Sequence, residues 1–144
     1  NRLKKLMQNW ITKSVDPVSS EAYFMNSQET SELAEWHEFN QETIEALIED
    51  GSDASQAHTI EYHFASADFD VLEKAAVDAF KAGFEVGDAE ELELEDGEEV
   101  FCFDAVVERM LDANLINQDT DKLFAIAIKH NVDYDGWGTF FIEK

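Results

Sequence analysis

A chain of 144 residues, 44% apolar and holding eleven Phe and three Trp, has the material for one domain with a real core; that makes disorder or a pair of domains poor descriptions. Its 33 Asp and Glu against 10 Lys and Arg leave a net charge of −23, a surface that repels nucleic acid and disfavours an anionic membrane, since affinity for either needs cationic groups on the protein. A basic protein partner, a cation or plain solubility remains. The single Cys102 excludes an intrachain disulfide and any multi-cysteine zinc site. With no apolar run of membrane-spanning length and no visible signal peptide, the expectation is a cytoplasmic protein.

Residues 1–24 differ from the rest of the chain. Arg2, Lys4, Lys5 and Lys13 against Asp16 and Glu21 give this stretch +2 and leave −25 on the other 120 residues. Leu3, Leu6, Met7, Trp10 and Ile11 fall on one helical stripe, so residues 1–13 are expected to form a helix that packs on this domain or on a neighbouring copy. A linker with the only proline, Pro17, comes next, and then Met25, which has the look of an internal start. Two readings stand side by side: a basic amphipathic segment that docks on a partner or a membrane surface, or a leader or fusion segment outside the fold. The domain division is therefore 1–24 and 25–144.

The next helix is expected over 28–50, with Leu33, Trp36, Asn40, Thr43, Ile44, Leu47 and Ile48 on one face and a series of glutamates mostly elsewhere. Asp50-Gly51-Ser52-Asp53 ends it as a turn. Ile60, Tyr62 and Phe64 then alternate with Glu61 and His63, the period of a half-buried strand. Ser66 offers a cap for a helix carrying Phe69, Leu72, Ala75, Ala76, Ala79 and Phe80, closed at Gly83. Phe84 and Val86 resume strand period. Residues 87–99 form an acidic run in which Leu92 and Leu94 alternate with glutamates and Asp96-Gly97 signals a hairpin turn. Val100–Val107 is the most strand-like run and is expected to be central. Residues 108–116 are ambiguous, and Asn117 can cap a helix with Leu123, Phe124, Ile126, Ala127 and Ile128. Val132–Ile142 is expected to be a last strand, interrupted at Asp135-Gly136-Trp137-Gly138. From Thr59 onward the order is strand, helix, strand, strand, helix, strand. That predicts an α+β, ferredoxin-like βαββαβ fold: an antiparallel sheet with both helices on one face, plus an extra N-terminal helix.

Several patterns could carry chemistry. Asn131-x-Asp133-x-Asp135-Gly136 opens like a calcium-binding EF-hand loop, but its twelfth position is Ile142 and Phe140-Phe141-Ile142 reads as strand; a bulged strand explains the glycines better. Glu61 and His63 share a strand face while His58 falls opposite, a spacing that matches no zinc motif. Cys102, between Phe101 and Phe103, reads as inert core, and no Gly-x-Ser-x-Gly elbow or Gly-rich phosphate loop occurs. No catalytic residue, metal ligand or cofactor site is assigned. The acidic runs are solvated faces by default, and they could also form an extended negative surface that attracts a basic protein region.

Four blocks carry a family resemblance: Glu49-Asp50-Gly51-Ser52-Asp53, Thr59–Phe64, Leu72–Val77 and Tyr134-Asp135-Gly136-Trp137-Gly138-Thr139. In order and spacing, over roughly residues 33–142, the chain resembles the bacterial regulator of ribonuclease E activity B (RraB) family. The resemblance implies a ferredoxin-like fold and a non-enzymatic inhibitor that binds ribonuclease E and modulates messenger RNA turnover. It supplies no catalytic residues. Residues 1–24 have no counterpart in it, and the acidic tail of some members does not follow Lys144. The expected contact is a basic or scaffold region of the ribonuclease. It would be met by Asp88, Glu90, Glu91, Glu93, Glu95, Asp96, Glu98 and Glu99, with the bulge at Tyr134, Asp135 and Trp137 as aromatic anchor. For Trp137, core packing is the competing reading. An acidic divalent-cation binder and a small carboxylate-dependent hydrolase are the alternative functions.

Overall fold

The computed structural model describes residues 3–5 and 25–144. Helix α1, Ser27–Glu49, begins at a reciprocal capping box: the Glu29 amide donates to Asn26 Oδ1 (2.8 Å) and the Asn26 amide to Glu29 Oε1 (3.0 Å). It buries Asn40 and Ile44 and half-buries Leu33, Trp36 and Leu47; Ile48, expected on that face, is exposed.

Two strands carry the core. In β2, His58–Ser66, alternate residues are buried, and in β5, Glu99–Arg109, Phe103 and Ala105 lie across from Phe64 and Tyr62. Phe64 and Phe103 stack in parallel with centroids 4.7 Å apart. Each fully buried ring contributes roughly 1.5–3 kcal/mol relative to exposure. Helix α2, Phe69–Lys81, covers this face with Leu72, Ala75, Ala76 and Ala79. Its N-cap is Asp68, accepting from the Asp70 amide; Ser66 instead accepts from the Asp68 amide and shapes the turn before it. Phe80, expected on the buried stripe, is exposed. Gly83 has the positive φ expected of a helix terminus.

Short strand β3 is Glu85–Val86 and β4 is Ala89–Glu93; both pair antiparallel with β5. The β4–β5 turn closes through Gly97 at φ +89°. Helix α3, Ala113–His130, starts earlier than the Asn117 cap predicts, because Asp112 Oδ1 accepts from both the Asn114 and Leu115 amides. Asn117 is thus an interior helix residue. Strand β6, Asp133–Gly138, pairs with β2 through a register shift between Tyr62 and Phe64, the bulge expected within Asp135-Gly136-Trp137-Gly138; Gly136 takes a positive φ and Gly138 does not. It stops at Gly138 and not at Ile142. Beyond it the chain makes an isolated β-bridge between Ser52 and Glu143 and hydrogen bonds from Thr139 to Thr59 and between Ile142 and Ser52 and Asp53.

Leu3–Lys5 form strand β1, antiparallel to β4, where a turn of helix was expected. The rest of the predicted 1–13 helix, and its packing, lie outside the described residues. Among the described residues the result is a mixed α/β structure of three helices on an antiparallel sheet in the order β1-β4-β5-β2-β6, with β3 also on β5. Strand β5 is central, as its apolar run implies.

Candidate partner-binding surface

The seam where α1 meets β6 and α3 decides what the aromatic residues can do. Trp137 Nε1–H donates to Asn40 Oδ1 (2.7 Å), and Asn40 Nδ2 donates to Asn117 Oδ1 (2.8 Å) and Thr120 Oγ1 (3.0 Å). A buried amide thus serves three elements, which explains a polar residue in the middle of an apolar helix face. Trp36 stands edge-on to Tyr134 at 5.0 Å, and Tyr134 edge-on to Phe64 at 5.7 Å. Tyr134 is only 8% exposed and Trp137 only 5%. The anchor expected at these two side chains is therefore core: the bulge turns both toward the helices, and only Asp135 remains outside.

Three polar clusters could pass for catalytic machinery. Tyr62 Oη donates to Asp119 Oδ2 (3.0 Å), and Arg109 closes on both oxygens of the same carboxylate (3.0 and 3.1 Å). Burial, and then the Asp119 charge, raises the Tyr62 pKa far above its ordinary 10, so it acts as a donor and ties β2 to α3. The Arg109 guanidinium is held more firmly protonated by its bond to Asp119. Ser52 Oγ meets His58 Nε2 at 2.8 Å, a pairing familiar from hydrolases, but both residues are fully buried. Ser52 Oγ also accepts from the Ile142 amide (2.9 Å), and His58 Nδ1 meets the Gln56 carbonyl (2.9 Å). This is a clasp fastening the segment after β6 to the end of α1. Sequence reading missed it; its only signal was a histidine on the apolar side of a strand. Asp78 accepts from His130 Nε2 (2.8 Å) and Lys129 Nζ (3.2 Å), joining α2 to α3. Burial pushes the Asp78 carboxyl up, but the two donors outweigh it and hold it below the ordinary carboxylate range.

The EF-hand frame does not form a loop. Asn131 is the left-handed cap of α3 at φ 56°, Asp133 and Asp135 are strand residues, and the Ile142 carbonyl already accepts from the Asp53 amide (2.7 Å). Among the described residues no group of three or more His, Cys, Asp or Glu stands close enough to hold a metal ion. His63 pairs with Asp104 (2.8 Å) across β2 and β5, and His37 with Asp121 (2.6 Å) across α1 and α3. Among the described residues no helix is long and apolar enough to cross a membrane.

The acidic run behaves differently. Asp88, Glu93, Glu95, Asp96, Glu98 and Glu99 are exposed around the β4–β5 hairpin, and Glu91 is half-buried. Glu90 is not available at the surface: it lies across from Cys102, on a strand enclosed between β1 and β5, and is 5% exposed.

A mixed α/β domain of this length, with its polar clusters tied into packing and most of its carboxylates on the outside, invites comparison with known proteins. The chain belongs to the RraB family, "Regulator of ribonuclease activity B", whose family model matches residues 37–139. A protein of that name from Pseudoalteromonas atlantica is 77% identical over 115 residues, which cover 80% of this chain and 98% of the relative. Another from Alteromonas mediterranea is 71% identical over 110 residues, covering 76% of this chain and 83% of the relative. A third, from Aeromonas salmonicida, is 54% identical over 112 residues, covering 78% of this chain and 97% of the relative.

Proposed function

We propose that this chain is a cytoplasmic, non-enzymatic regulator that binds ribonuclease E and inhibits it, and so modulates messenger RNA turnover. Family membership carries the reading, because the relatives are named as regulators of ribonuclease activity. Residues 25–144 form the binding domain, and the strand order β6-β2-β5-β4 supports reading it as ferredoxin-like. The acidic hairpin acts on a basic or scaffold region of the ribonuclease and not on its chemistry. Carboxylates held on a folded turn keep their geometry without ordering a tail, and their long-range field speeds encounter. No observation favours the cation-binding or hydrolase alternatives.

The test is a kinetic comparison on folded variants. Reversing Glu93, Glu95, Asp96 and Glu98 to lysine is expected to slow association with purified ribonuclease E and to flatten its salt dependence. Unchanged association would remove the electrostatic mechanism.

A further inference from the structure

We propose that Ile48, Phe140 and Phe141 form an apolar anchor that holds a cationic, apolar-bearing segment of the ribonuclease, a site separate from the acidic hairpin. This rests on the reading that the partner is ribonuclease E.

The three side chains are 39%, 69% and 45% exposed, at the corner where α1 ends and the chain leaves β6. The corner is built, not loose. The Ile142 amide donates to Ser52 Oγ (2.9 Å), the Asp53 amide to the Ile142 carbonyl (2.7 Å), and Ser52 is pinned to the buried His58. The Gly51 amide donates to the Ile48 carbonyl (2.9 Å). The Phe141 ring covers that turn, 3.6 Å from where a side chain at Gly51 would begin. Two phenyl rings on a segment whose backbone is fastened present apolar area with little backbone entropy left to lose, which suits them to residence in a complex.

Charge selects the occupant. Glu45, Glu49, Asp50 and Glu143 are exposed around the corner, and among the described residues Lys144 is the cation next to it in sequence. Helix α1 contains no Lys or Arg. Glu49 and Asp50 stand at the negative end of its dipole, and Glu45 and Glu49 repel at i, i+4. Folding is not helped by this arrangement, whereas a cationic segment would relieve it. A second copy of a chain carrying −23 would bring the same rim against itself, and nucleic acid would bring more negative charge. The corner lies beyond the His58 end of β2, where Thr139 Oγ1 donates to the Thr59 carbonyl (2.6 Å); the acidic hairpin lies beyond the Ser66 end. Nine strand residues separate the two ends, roughly 26 Å.

The experiment measures binding of purified ribonuclease E to the full chain, to the double variant Phe140→Ser/Phe141→Ser and to the triple variant Glu45→Gln/Glu49→Gln/Asp50→Asn. Melting temperatures confirm folding, and sedimentation velocity gives the association state. The double variant is expected to dissociate at least roughly tenfold faster with little change in association, and the triple variant to associate more slowly with a weaker salt dependence. If the unsubstituted chain binds and the double variant dissociates at the same rate, the anchor is overturned while the ribonuclease reading stands. If the unsubstituted chain does not bind, the ribonuclease reading falls and takes the occupant with it. If the unsubstituted chain is a dimer that the double substitution splits, the corner is an interface between copies and the proposal is overturned.

Discussion

At the scale of single residues, Asp78 shows how burial and partners set a group's contribution. Its carboxylate is nearly out of water, yet His130 and Lys129 both donate to it, and the net effect holds its pKa below the unfolded value of 3.8. A carboxyl depressed on folding contributes stability that is fully present above pH 3.8 and is lost as pH falls through the lower folded-state value. Asp78→Asn is expected to cost about 2–3 kcal/mol at neutral pH, the scale of hydrogen bonds to a charged group. Urea titrations across pH check it: the gap between wild type and variant should be constant near neutrality and close below pH 3.8. A gap that persists unchanged in acid would mean that packing, not charge, is lost. Asn40 teaches the same lesson without a charge. Its amide is explained only by Trp137, Asn117 and Thr120, none of them near it in the chain.

At the scale of elements, the bulge in β6 places two consecutive core aromatics on the same side of the sheet. Tyr134 and Trp137 are three residues apart, a spacing that would send them to opposite faces of a regular strand. Gly136 makes this possible. It sits at φ +85°, and a Cβ there would come within 3.0 Å of the Trp36 ring. Gly136→Ala is expected to destabilise by at least about 1–2 kcal/mol, the penalty of a left-handed residue bearing a side chain, with further displacement of Trp36. Chemical denaturation measures the loss, and the near-ultraviolet circular dichroism of the tryptophans should change with it. Gly97, also at positive φ but with open space around it, should suffer only the backbone part of that penalty.

At the scale of the whole molecule, net charge dominates. With −25 on the 120 residues from Met25 onward, self-repulsion works against the compact state. Raising ionic strength from about 0.01 M to about 0.1 M shortens the screening length from roughly 30 Å to roughly 10 Å. Most of the carboxylates are exposed, so the melting temperature is expected to rise over that interval, as calorimetry would show. The same salt should slow association with a basic partner. Opposite responses of stability and binding would mark one charge distribution acting on both.

The chain by itself determined the elements and the family. Alternation in Ile60, Tyr62 and Phe64, the helical stripe through Leu72 and Ala79, the glycine stop at Gly83 and the apolar run around Phe103 are local patterns, and local periodicity reflects which face meets water. Four short blocks in fixed order were enough to mark the RraB resemblance. Only the tertiary structure decided which residues are available to a partner. Trp137 and Phe140 are both aromatic residues near one chain segment; a bulge and the Asn40 amide bury the first, and the Ser52–His58 clasp leaves the second outside. Glu90 and Glu91 are neighbours in an acidic run, but successive residues of β4 point to opposite faces of the sheet, and one is buried while the other is half-buried. Burial depends on what packs across from a residue, and those partners come from strands and helices tens of residues away, beyond the reach of any local pattern.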